Sequence, residues 1–168
     1  MKVILESSRF YLRELNTDDA ESFYALNANP NVLKYTGDSA FETVEEAHVF
    51  LSNYKEYKNY GFGRWAIVTK DTGQFVGWCG LKFHPETDEV DLGFRIFEEF
   101  WNQGIATETA KACVEYGFSV LNLKQIIGRA MADNVASVSV LEKCGMRFSK
   151  DILLDGQKAV QYSVTNNN

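Results

Sequence analysis

Ahead of the longest helical spacing in the chain stand Gln103, Gly104, Ile105, Ala106 and Thr107, and no basic residue follows until Lys111. The first turn of a helix carries N–H groups with no intrahelical acceptor and the positive end of the helix dipole. Such a turn holds a phosphate without any lysine. Gly104 lets backbone come close, Ala106 adds almost no bulk, and Thr107 offers a hydroxyl. The same residues also suit a glycine-initiated helix packed tightly on a sheet, and spacing alone does not separate the two. The P-loop pattern GxxxxGK[ST] and the dinucleotide turn GxGxxG are both absent. A second group lies in "DNVASVSVLEKCGM", where Asn134, Ser137 and Leu141 fall on one helical face. Taken singly, Asn134 reads as a helix N-cap and Ser137 as a solvent-facing hydroxyl.

These residues need elements to hold them. "SSRFYLREL" alternates apolar and polar residues and predicts a first strand, Arg9 to Leu15. A short helix follows, with Thr17 or Asp18 as N-cap and Pro30 as its stop. "TVEEAHVFLSNYKEYKNYG" predicts one amphipathic helix with a Thr43–Glu46 capping box and Gly61 at its end. "FGRWAIVT", "QFVGWCGLKF" and "EVDLGFRIF" then predict three strands, and their short connections make them antiparallel neighbours. The helix after Phe97 carries an apolar stripe from Ala106 through Ala110, Cys113, Val114, Gly117 and Phe118 to Leu121. A strand "QIIGRAMA", a helix "NVASVSVLEKCG" and a closing hairpin turned on Asp155-Gly156 complete the order. The unit from Glu89 to Ala132 needs a right-handed crossover between parallel strands. The expected fold is therefore α/β: a mixed sheet with helices on both faces, and a ligand site beyond a strand's carboxyl end.

Bulk properties narrow the function. A chain of 168 residues with 45% hydrophobic and 24% charged content suits one domain, residues 1–168. A formal charge of −6 without any Lys/Arg run makes nucleic-acid binding a poor expectation. Cys79, Cys113 and Cys144 are odd in number and lack CxxC spacing, so neither a disulfide framework nor a zinc site is expected. With His48 and His84 as the only histidines, no metal centre is expected. No stretch reads as a signal peptide or a membrane span, and the cytoplasm is the expected compartment.

Taken together, "DLGFRIFEEFWNQGIATE" and "NVASVSVLEKCGM" closely resemble the GNAT superfamily of acyl-CoA-dependent N-acyltransferases. With "RFYLREL" and "DDAESFYALNANPNVLKY" they look like the branch that includes ribosomal-protein N-terminal acetyltransferases. The resemblance implies a mixed, mostly antiparallel sheet of about seven strands with a splayed parallel pair. Acetyl-CoA would be the co-substrate, with no metal. Its pantetheine arm would bond the backbone of Phe94, Arg95 and Ile96, and Asn134 would reach it from the second cofactor helix. Its diphosphate would lie on the N–H groups of Gln103, Gly104, Ile105, Ala106 and Thr107. Where the family usually has Gln or Arg, three residues before the first glycine, this chain has Trp101.

Acetyl transfer needs a neutral amine, a polarised thioester and a proton for the departing thiolate. The family's tyrosine for that proton is Leu141 here, and Ser137 matches the serine that looks like its substitute. Asp91 is the candidate base, against the alternative of an Asp91–Arg95 surface ion pair. Tyr35, Trp78 and Phe83 are expected to line the acceptor pocket. The implied activity is N-acetylation of a primary amine, either a protein N-terminus or a small molecule. A non-catalytic acyl-CoA sensor is the competing reading, and a homodimer is left open.

Overall fold

The computed structural model describes residues 2–167. Its strands are β1 (Val3–Glu6), β2 (Phe10–Glu14), β3 (Arg64–Thr69), β4 (Phe75–His84), β5 (Glu89–Ile96), β6 (Gln125–Met131), β7 (Arg147–Leu154) and β8 (Gln157–Thr165). They form one eight-stranded sheet in the order β1-β2-β3-β4-β5-β6-β8-β7. Every neighbouring pair is antiparallel except β5–β6. The strand beyond the expected seven is β1, a four-residue edge strand. Its sequence VILE has no alternation to betray it, and its burial is only partial.

The parallel pair is the shortest contact in the sheet. β4 and β5 stay in register from His84↔Glu89 to Gly77↔Ile96. β5 and β6 share only Asp91↔Ile127 and Leu92↔Gly128. Beyond Leu92 the two strands diverge, and one edge of β5 is left without a strand partner.

Helices cover both faces. α5 (Ile105–Ser119) buries Ile105, Ala110, Cys113 and Val114 in a core that includes Cys79, Leu81, Leu92 and Ile96. α6 (Val135–Lys143) adds Leu141 to the same core. On the opposite face α1 (Ala20–Leu26) and α3 (Val44–Ser52) pack Phe23, Ala47 and Leu51 over Ala66 and Val68. Each large apolar side chain so buried contributes roughly 1.5–3 kcal/mol.

Three local expectations are corrected. Asn16, not Thr17 or Asp18, caps the first helical turn, in a capping box with Asp19. Pro30 does not stop a helix but occupies the first turn of a short one, α2 (Pro30–Leu33), where its missing N–H costs nothing. The long helix expected to Gly61 is broken after Ser52, and α4 (Glu56–Tyr60) follows as a separate element. The break frees two hydroxyls: Arg64 N–H donates to Tyr54 at 2.9 Å, and the Tyr57 hydroxyl donates to Arg64 O. The start of β3 is thereby fixed, and with it the side chain of Arg64.

Candidate active site

The divergence of β5 from β6 opens a slot lined by main chain. Phe97 N–H donates to Val76 O at 3.1 Å, so odd-numbered residues of β5 turn their polar backbone groups toward β4. By alternation, the N–H and C=O groups of Phe94 and Ile96 face the slot. Arg95 therefore offers this region its side chain rather than its backbone. Trp101 Nε1 donates to Ile96 O at 2.9 Å, with the ring 40% exposed. The residue at the unusual position braces the mouth of the slot, and the Ile96 N–H stays directed into it.

α5 begins at that mouth. Its N-cap is Gly104 at φ +75°, and Asn102 two residues earlier has φ +62°. Paired left-handed positions curl a loop so that successive N–H groups turn inward, a shape suited to anions. The first intrahelical bond is Glu108 N–H to Gly104 O at 3.0 Å, so the N–H groups of Ile105, Ala106 and Thr107 precede the ladder. A Cβ on Gly104 would meet only Arg9 Nη2, at 3.6 Å, so the backbone conformation rather than crowding calls for glycine. Ile105 is buried, while Gln103 and Gly104 are exposed.

Sequence reasoning missed a cation here. The β1–β2 turn places Arg9 against the start of α5, 94 residues from Gln103. Its Nη2 donates to Gln103 O at 2.9 Å, and its Nε meets Glu108 Oε1 at 2.7 Å. Arg9 N–H and the Ser7 hydroxyl both donate to Glu108 Oε2. Burial alone would raise the Glu108 pKa, but the bonds from Ser7 and Arg9 outweigh it and lower it. A signal existed only in the pairing of β1 with β2, which requires a tight turn at residues 7–9.

On α6, Asn134 is the N-cap: its Oδ1 accepts from Ser137 N–H at 3.3 Å. Its Nδ2 donates to Ser137 Oγ at 2.9 Å, so the two side chains meet. That bond uses a lone pair of the serine oxygen and leaves its O–H free to donate. Leu141 is 1% exposed and lies over Gly128, where parallel pairing ends. It belongs to the core.

Across the sheet from α5, Asp91, Arg64, Trp78 and Arg95 share a face. The expected Asp91–Arg95 pair does not form. Arg64 Nη2 meets Asp91 Oδ1 at 2.7 Å, and His84 Nε2 pairs with Asp91 Oδ2. Burial would raise the Asp91 pKa, but the Arg64 charge and the His84 and Arg64 hydrogen bonds hold it well below the usual carboxylate range. His84 is raised in turn by its bond to Asp91, and its Nδ1 faces Glu86 at 3.4 Å. The Arg64 guanidinium lies flat on Gly93, where any Cβ would come within 2.7 Å of it. Trp78 sits between two cations, with Arg64 and Arg95 each 5.3 Å from its ring centre. Arg95 reaches Asn27 Oδ1 at 2.6 Å and Asp38 Oδ2 at 2.9 Å. Gly37, next to Asp38, abuts the Asp155 carboxylate in the β7–β8 turn. The loop after α2 thus runs from β5 toward the far side of the slot. Phe83 departs from expectation: it packs on the α5 side and meets Tyr60 edge-on at 5.0 Å. Tyr35 is half-buried, with Lys34 Nζ 5.1 Å from its ring centre.

No group of three or more His, Cys, Asp or Glu residues able to hold a metal occurs among the described residues. Residues 9–147 match a family described as acetyltransferase (GNAT) domain. An uncharacterized N-acetyltransferase of Bacillus subtilis, YoaA, is 34% identical over 158 residues, covering 90% of this chain and 85% of its own. A ribosomal-protein-S5-alanine acetyltransferase from Vibrio fischeri has the same fold at TM-score 0.84 and 16% identity, covering 99% of this chain and 98% of its own. A spermidine N-acetyltransferase from Vibrio cholerae, solved with CoA and spermine, matches at TM-score 0.79 and 19% identity, covering 94% and 96%.

Proposed function

This chain belongs to the GNAT acetyltransferase family, and on that premise we propose that it moves an acetyl group from acetyl-CoA to a primary amine by direct attack. The observation that carries the reading is the end of parallel pairing at Leu92↔Gly128, which leaves the Phe94 and Ile96 amides facing a slot. The residues present fit that donor. The slot edge suits the amide-bearing pantetheine, the turn from Gln103 to Thr107 suits a diphosphate, and Asn134 stands at the slot's other wall.

In the reaction the amine nitrogen bonds to the thioester carbon, the carbon–sulfur bond breaks, the amine's proton passes to solvent water, and the thiolate gains a proton. The products are an N-acetylated amine and CoA. One slot-facing N–H of the Phe94 and Ile96 pair stabilises the negative charge growing on the thioester oxygen, and the other, two residues along the strand, serves the pantetheine. The Ser137 hydroxyl, held from behind by Asn134 Nδ2, donates toward the departing sulfur. Fixing both substrates in line supplies a large share of the rate. Asp91 is reassigned: a carboxylate held by Arg64 and His84 and lowered in pKa is a poor proton acceptor, so it positions Arg64 instead.

The acceptor approaches over Trp78, beneath the loop carrying Asp38. Both a protein N-terminus and a small amine fit this description, in a cytoplasmic enzyme. No described helix is long and apolar enough to cross a membrane. Thiol release from acetyl-CoA, measured across small amines and N-terminal peptides, tests the reading. Acceptor-dependent release supports it. CoA binding without release for any acceptor would instead indicate a sensor.

A further inference from the structure

We propose that Arg9 sets the affinity for the diphosphate of CoA, by neutralising Glu108 and holding the Gln103 carbonyl aside at the first turn of α5. This rests on the preceding reading of that turn as the diphosphate site.

Three groups at the turn would repel an anion. Glu108 is a carboxylate in the first turn, its pKa is lowered, and its side chain is 20% exposed. The Gln103 carbonyl lies one residue before the N-cap, and any carbonyl turned into the loop would face phosphate oxygens. The third, Glu99, is exposed at residue 99, ahead of the loop. Arg9 addresses the first two together: Nε takes Glu108 Oε1 at 2.7 Å while Nη2 takes Gln103 O at 2.9 Å. Ser7 and the Arg9 N–H hold the second carboxylate oxygen. With half its surface exposed, the guanidinium also presents positive charge beside Gly104. The loop's own sequence has no cation, having Trp101 at the position of the familiar Gln or Arg. Arg9 supplies from another part of the chain what the loop lacks. Only a planar fork bridges a carboxylate and a carbonyl at this spacing, so lysine is not its equivalent.

A purely structural clamp between the β1–β2 turn and α5 makes different predictions, which binding measurements separate. Calorimetric affinity is measured for CoA, 3′-dephospho-CoA and S-acetylpantetheine with wild type, Arg9→Gln, Arg9→Lys and the double variant Arg9→Gln/Glu108→Gln. Arg9→Gln is expected to weaken CoA and dephospho-CoA alike, by about tenfold or more, as loss of a charge-assisted contact implies. S-acetylpantetheine, which has no diphosphate, is expected to bind both proteins equally. Arg9→Lys should recover only part of the loss. Removing Glu108 as well should restore part of it, because an uncompensated carboxylate is then no longer present. Equal loss for all three ligands, loss confined to CoA, or no recovery in the double variant would overturn the proposal. So would unchanged CoA affinity in Arg9→Gln. Failure of wild type to bind CoA at all would instead sink the functional reading on which this rests.

Discussion

Asp91 and Arg64 face each other across β4, Oδ1 to Nη2 at 2.7 Å, one residue before β5 and β6 make their last pair. The same guanidinium donates to Asp91 O and Gly80 O, both at 3.0 Å, and stacks on Trp78. The carboxylate therefore orders a cation at the floor of the proposed acceptor face.

Asp91→Asn should chiefly destabilise. Removing one charge of a buried pair costs up to about 3–5 kcal/mol, less here because the carboxamide still accepts a hydrogen bond. Turnover per folded molecule should fall less than about tenfold. A loss of roughly 10²–10⁴, with one limb of the pH–rate profile missing, would restore Asp91 as the base. Thermal melts and single-acceptor kinetics on the same samples decide it.

Stability should depend on pH through His84. Its folded pKa is raised, first by the bond to Asp91, so its contribution is full below the unfolded value near ~6.5 and fades as pH climbs through the folded one. Asp91 has the opposite sign: its lowered pKa adds stability above about pH 4 that is lost in stronger acid. The melting-temperature gap between wild type and His84→Gln should thus be wider at pH 6 than at pH 9. An equal gap at both would exclude a protonation-linked pair.

Gly104→Val should weaken CoA binding by about tenfold, since a β-branched residue at φ +75° costs roughly 1–2 kcal/mol or forces the turn to rearrange. Gly104→Asn should lose less, because asparagine tolerates the left-handed region. If both variants bind CoA like wild type, the turn does not hold the diphosphate.

Ser137→Ala should lower kcat about threefold to tenfold with little change in CoA affinity, because thiolate departs readily and a serine hydroxyl is a weak acid. Full retention of kcat would remove the hydroxyl from proton transfer. A large loss of affinity would point to collapse of the Asn134 cap instead.

Asp38→Ala should raise the acceptor KM by up to about fivefold and leave CoA affinity intact. It removes a half-exposed ion pair with Arg95, worth roughly 0.2–1 kcal/mol. An effect on the cofactor rather than the acceptor would place this loop elsewhere in the cycle.

Local chemistry was the readable part of the sequence. The three antiparallel strands from Arg64 to Ile96 follow from alternation and short turns, and the hairpin at Asp155-Gly156 from residues that accept positive φ, +50° and +76°. The start of α5 and the Asn134–Ser137 contact follow from helical spacing. Hidden were the partnerships made across the chain. Arg64 and Asp91 lie 27 residues apart, and Arg9 and Glu108 lie 99 apart. Choosing Arg64 over Arg95 for Asp91 required the register of β3 against β4, which no local pattern encodes. The broken helix was hidden for the same reason: the Tyr54 and Tyr57 hydroxyls answer to the Arg64 backbone, a partner outside their own segment.

The brief contact between β5 and β6 has a mechanical corollary. Five strands on one side and three on the other meet along a hinge of two residue pairs, braced from one face by α5 against α6. Amide protons flanking that hinge should exchange with solvent sooner than those of the long β4–β5 ladder. A ligand bonded to the bare edge would act as a missing rung, slowing exchange on both leaves at once.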